Sequence, residues 1–269
     1  MPKTEGYVYV SGSDDVMAPA RVGMRVAKKN RLPPYIVVSD SIQSVIVARW
    51  PGKLWRVRIV DPVTAEDERA AQAAPLSPSA GVLRAFAVDV LAEIPVARLF
   101  GDDGDKVCAV LARAAQLDWA QARSFAKARH PDAGKAYSRA WSNWLLSVGV
   151  ASPFRIDFMS VVDTSPLRDA DFTGVLTTSA HPGSPVNDGL KVLHRTIRDC
   201  AESVEGGRAL IMREDGEEGF EPVWLAACYA LLEAAMALGA PAVCEAEDRR
   251  IMCKAWNAVT RPDLLLSSG

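Results

Sequence analysis

The 269 residues are 49% hydrophobic and 24% charged, with a net charge of −2, the make-up of a folded chain with a sizeable core and not of a disordered one. Eighteen glycines and seventeen prolines fall without a period, which excludes collagen-like and coiled-coil architectures. The longest apolar run, Val223–Leu238, is interrupted by Glu233 and is shorter than the roughly 20 residues of a bilayer span.

Gly6–Val10 alternates weakly and reads as a short strand, closed by the turn residues Ser11–Asp15. Val16–Asn30 is helix-compatible; in a helix, Arg21, Arg25 and Lys28 would share one face while Val22 and Val26 point the other way. Pro33-Pro34 ends that segment. Tyr35–Val38 reads as a buried strand, and a helix capped by Ser39 or Asp40 is expected from Ser41 towards Trp50. After the Pro51-Gly52 turn, Lys53–Val60 has the clearest strand alternation in the chain. Lys53, Trp55, Val57 and Ile59 face one side, and Leu54, Arg56, Arg58 and Val60 the other. The first 62 residues therefore predict a small β-α-β-α-β unit.

Residues 63–79, Ala-rich and charged and then Pro- and Ser-rich, predict a linker, and 80–269 a mainly helical, acidic domain resembling a bundle. The fold class expected is α+β. Leu83, Phe86, Ala87, Val90, Leu91 and Ile94 follow helical spacing, although Val88 and Val90 also suit a strand. Amphipathic stripes at Val107–Leu117, Trp119–Ala126 and Tyr137–Val148 predict three consecutive helices. From Gly149 to Asn187 the pattern dissolves into Pro, Ser, Thr, Asp and Gly, with a strand-like island at Phe154–Val162. Helical spacing returns at Leu190–Val204, Arg208–Arg213 suits a short strand, and Pro222–Leu238 is an apolar helix stopped by Gly239 and Pro241. Glu245–Val259 predicts the last helix.

The chain lacks a P-loop, GxGxxG, GxSxG, HExxH and EF-hand pattern. Its five cysteines have no CxxC or zinc-finger spacing, which suits a reducing, cytoplasmic setting. Pro2–Gly6 leads into a polar segment, so no signal peptide is expected. Asp102–Asp105 reads as a turn and helix cap. His194 reads as a core or boundary residue, whereas His181, among Thr177, Thr178, Ser179 and Ser184, has the setting of a general base or of a solvated loop. Glu214, Asp215, Glu217, Glu218 and Glu221 cluster ahead of an apolar helix, where carboxylates complement the helix N-terminus.

Charge is uneven. Residues 1–61 carry ten basic and five acidic side chains, a net of +5, so the remainder carries −7. A basic N-terminal face favours an anion such as a phosphate, a nucleotide or an acidic protein surface, unless the two segments simply neutralise one another. Arg21, Arg25, Lys28, Arg56 and Arg58 are the candidate ligand-binding cations, with Trp55, Trp50 and Tyr35 as nearby aromatic surface.

The order strand, basic segment, strand, Ser39-Asp40-Ser41, helix, strand is loosely similar to the N-terminal half of ADP-ribosyltransferases, over about a third of the chain. The resemblance implies NAD held between small sheets, with Ser39 or Ser41 and a late glutamate, Glu93, at the site. Tyr7 or Tyr9 stands where that family has Arg or His on the first strand. Composition and charge predict an interaction or regulatory protein that binds a macromolecular partner, with no cofactor specified. An NAD-using transferase is the alternative. Nucleic acid is a further one, which the isoelectric point near 6.0 disfavours.

Overall fold

The computed structural model describes residues 4–12, 16–47, 49–71, 81–147, 185–204, 209–212, 216 and 218–260, a mixture of strands and helices. They form two compact units. The first takes in the described residues up to Leu99, and the second begins at Phe100.

The first unit is a small, barrel-like antiparallel sheet. Its strands are β1 (Glu5–Val10), β2 (Arg25–Ala27), β3 (Ile36–Ser39), β4 (Lys53–Pro62) and β5 (Val82–Ile94). β1 lies between β3 and β4, and β5 pairs with both β3 and β4, which closes the ring. The register runs Glu5↔Arg58 to Val10↔Lys53, Tyr7↔Ser39, Ile36↔Ala85 and Leu54↔Ile94. β2 adds to β5 at Arg25↔Asp89. Alternation along β1 sends Val8 and Val10 inward to meet Val38, Trp55, Val57, Val88 and Val90. Gly6 is required because a Cβ there would strike the Ser39 carbonyl oxygen of the neighbouring strand.

Three expectations for this unit are corrected. Val16–Asn30 is two turns followed by β2, with no helix. Pro19 lies in the first turn, Gly23 takes φ +82° in the second, and Val26 is then drawn into the barrel core. The helix expected towards Trp50 is a single 3-10 turn, Ile42–Ser44, which ends where Val45 turns extended, at the start of the β-branched run Val45–Val47. Residues 82–94 are one strand and not a helix. Register shifts in the β4–β5 ladder put Ala85–Val88 under cover on both faces, and the resulting block of buried residues imitates helical spacing. The N-terminal unit is thus not β-α-β-α-β.

Of the segment 63–79, the described part (63–71) forms a short helix, α1 (Ala65–Ala70), started by a reciprocal Thr64–Asp67 capping box. Arg31 holds both Asp61 and Asp67 and lies 3.9 Å above the Phe86 ring. Arg84 pairs with Glu68 at 2.9 Å. Hydrogen bonds from Thr64, with Arg31 adding to them, pull the Asp67 carboxyl down to about 2.

The second unit contains α2 (Gly104–Ala114), α3 (Trp119–Ala128), α4 (Ala133–Ser147), α5 (Pro185–Ser203), a ribbon of β6 (Leu210–Met212) and β7 (Glu218–Phe220), then α6 (Pro222–Gly239), α7 (Ala246–Met252) and α8 (Lys254–Thr260). α6 is central and contacts α2, α3, α4, α7 and α8. It is long and apolar enough to cross a membrane, but most of it is buried among these helices. Glu221 caps it by accepting from the Val223 and Trp224 amides, with Pro222 in the first turn. Two carboxylates reach into this packing. Glu233 of α6 meets Arg129 as a bidentate pair at 3.0 Å, and Asp248 of α7 meets Arg139 at 2.9 Å. The helix expected over Glu245–Val259 is broken at Cys253 into α7 and α8. The strand-like island at Phe154–Val162 and nearly all of the Gly149–Asn187 stretch lie outside the described residues.

Candidate functional site

The barrel's outer face carries most of the basic residues singled out from the sequence. β1, β4, β5 and β2 present in turn Glu5, Arg58, Asp89 and Arg25, each opposite the next. Arg25 grips Asp89 through two bonds of 2.7 and 3.1 Å. Glu5 receives Arg58 at 2.8 Å and Arg56 at 2.7 Å. The Glu5 carboxyl is lowered by its bonds to Arg56 and Arg58, and the Asp89 carboxyl chiefly by its bond to Arg25. Charges alternate across the strands and satisfy each other. Sequence position hides this, because Asp89 lies well beyond the basic segment. Counted to Leu99, the first unit has thirteen basic and ten acidic residues, a net of +3.

Lys28 donates to the Pro34 carbonyl and steadies the loop before β3. Ser39 is buried and donates to the Ser44 carbonyl at 3.1 Å. Ser41 caps the turn that follows, accepting from the Ser44 amide. Ser44 also bonds Asp40, and the Asp40 amide donates to the Gly81 carbonyl. Ser39 and Ser41 thus order the β3 turn through Ser44, and Asp40 and Ser44 fasten that turn to Gly81 at the start of β5. Arg21, Arg25 and Lys28 share no helix face, since the helix is absent.

A different group of residues converges at one end of the barrel. Arg21 and Val22, from the turns before β2, meet Lys53 and Trp55 of β4 and Glu93 of β5 around a cleft of about 330 Å³, with Ala18–Ala20 as one wall. Trp55 and Glu93 are cross-strand partners, which fixes their places. Trp55 is only 3% exposed, so it forms the inner wall and is not a free stacking surface. The Lys53 ammonium lies 5.7 Å from the centre of that ring. Arg21 and Lys53 make no ion pair among the described residues, and Glu93 shares the rim without bonding either.

Lys53 is held by the turn before it. The Tyr9 hydroxyl donates to the Arg49 carbonyl at 2.7 Å, and the Tyr9 ring occupies the space that a Cβ on Gly52 would need. A second depression of about 760 Å³ adjoins the first and shares Ala18, Pro19 and Lys53 with it.

No protein-family model, curated protein or solved structure matches this chain. Of the residues singled out from sequence, the structure brings Arg21, Trp55 and Glu93 together and places Arg25, Lys28, Arg56, Arg58, Ser39 and Ser41 elsewhere on the unit. Lys53 was not among them, although the alternation of β4 already put it on the Trp55 side.

Other reactive groups of the described residues have structural partners or unfavourable settings. Burial pushes the Cys108 thiol up to about 11 and the Cys244 thiol up to about 12, and raises Cys200 and Cys253 as well, the opposite of what activates a nucleophile. His194 packs edge-on against Phe220 at 5.4 Å. His130 accepts from the Asp132 amide at 3.1 Å. Within the acidic cluster, Glu221 caps α6 and Glu218 pairs with Arg198 at 3.1 Å. Glu214, Asp215, Glu217 and His181 lie outside the described residues. No group of three metal-ligating side chains occurs among those described.

Proposed function

We propose that the chain is a binding protein that engages an acidic protein partner at the Arg21–Lys53 cleft of its N-terminal unit. The observation that carries this is a contrast between cations of one small unit. Arg25, Arg31, Arg56, Arg58 and Arg84 are each held by a carboxylate, whereas Arg21 and Lys53, on the rim of one cleft, make no ion pair among the described residues, and Glu93 on that rim bonds neither. Unpaired cations on low-dielectric walls attract and orient an anion. The exposed apolar side chains of Val22 and Met24 next to Arg21 favour a protein surface over a free phosphate.

A nucleotide is the second ligand that this chemistry admits. Glu93 on a strand at the rim, beside two cations able to take phosphate, favours it, while Ser39 and Ser41 are engaged in the β3 turn. A thermal-shift series on the full-length protein tests both. Polyglutamate should raise the melting temperature at low salt, fade as salt screens the contact, and have no effect on the Arg21→Glu/Lys53→Glu protein. A shift with NAD and none with polyglutamate would favour the nucleotide instead.

A further inference from the structure

We infer that the segment docking here is extended and carries an apolar side chain followed, two positions on, by a carboxylate; this rests on the acidic-partner proposal above. The cleft is two unlike depressions in a row. The smaller holds Arg21, Lys53 and Glu93, whereas the larger is lined by Val10, Ser11, Gly12, Pro19, Pro51 and Gly52, with Lys53 its one charged residue among those described. They share Lys53 and Pro19, so a ligand crossing from one to the other passes from small apolar surface to a pair of cations.

On an extended backbone, side chains two residues apart point the same way and stand roughly 7 Å apart. One such pair places an apolar group in the larger depression and an acid beside Lys53 and Arg21. Gly52 keeps the floor low, because the Tyr9 ring fills the place of a side chain there, and Gly12 leaves open space, with nothing within 4 Å of where its Cβ would stand. The backbone then supplies reach, the apolar group desolvation and the carboxylate orientation, the division of labour usual where extended peptides are read by alternate side chains.

The test is fluorescence anisotropy of the full-length protein with a fluorescein-labelled decapeptide bearing one leucine, a glutamate two positions later, and otherwise glycine and serine. Two control peptides replace the leucine by serine or the glutamate by glutamine. The serine control should bind about tenfold more weakly and the glutamine control about threefold. Gly12→Phe, whose ring enters open space, should weaken the parent peptide to the level of the serine control while leaving the melting temperature unchanged. Equal binding of the leucine and serine peptides would overturn the inference and leave the acidic-partner proposal standing, provided that Arg21→Glu/Lys53→Glu still abolishes binding. Binding indifferent to the glutamate and to that double variant would overturn both.

Discussion

The two units use charge in opposite ways. On the barrel, Arg25, Asp89, Arg58 and Glu5 form a surface row in which the carboxylates are half-buried and the arginines exposed, Arg25 at 60% and Arg58 at 52%. In the helical unit, Glu233 is 2% exposed and Asp248 6%, each gripped by an arginine from another helix or its cap. Exposed pairs are screened and add little to stability, so the barrel's row mainly keeps charge balanced on an open sheet face. Buried carboxylates carry a desolvation cost that only their partner offsets, and losing that partner is expensive. One charge pattern on paper therefore has two physical meanings, and burial decides which applies.

The largest effect expected is on the helical core. Trp224 is fully buried and meets Trp119 edge-to-face at 5.8 Å, so Trp224→Ala should cost about 4 kcal/mol in chemical denaturation. Arg129→Ala strands the Glu233 carboxylate and should cost about 3 kcal/mol, with much of the loss recovered in Arg129→Ala/Glu233→Gln. Glu233 also sets a pH signature. Burial raises its carboxyl from an ordinary 4.5 to about 7 despite Arg129. A carboxyl raised in the folded state contributes stability in full below pH 4.5 and loses it as pH climbs through 7. Melting of the helical unit should thus weaken between those values, and Glu233→Gln should flatten that part of the profile. At the small end, Glu5→Gln on the barrel should leave the melting temperature nearly unchanged. A large loss there would show that the outer row holds the barrel together and would erase the contrast between the units.

Much of the helical unit is legible in the sequence, because its stripes repeat at helical spacing over ten residues or more and its ends carry recognisable stops such as Gly239 and Pro241. The barrel is harder to read. β5 is covered on both faces near Phe86, so it shows a solid apolar block where a half-exposed strand would alternate. Val16–Asn30 offers helix-compatible residues, but Pro19, Gly23 and the pull of Val26 into the core settle its shape. The same nonlocal logic governs the site. Arg56 and Arg58 look like free cations until β1 brings Glu5 across to them, and Arg25 does so until β5 brings Asp89. Lys53 and Glu93 come to share one rim because strands forty residues apart pair in register, which no local pattern announces.

The most direct test of the cationic cleft is a charge swap. Arg21→Glu/Lys53→Glu should lose the leucine–glutamate peptide and gain a matching peptide with lysine in place of glutamate, measured by anisotropy at low salt. Arg56→Glu/Arg58→Glu on the outer face should leave binding of the original peptide largely intact. The reverse pattern, with the outer-face variant abolishing binding and the cleft variant preserving it, would contradict the assignment of the site to Arg21 and Lys53.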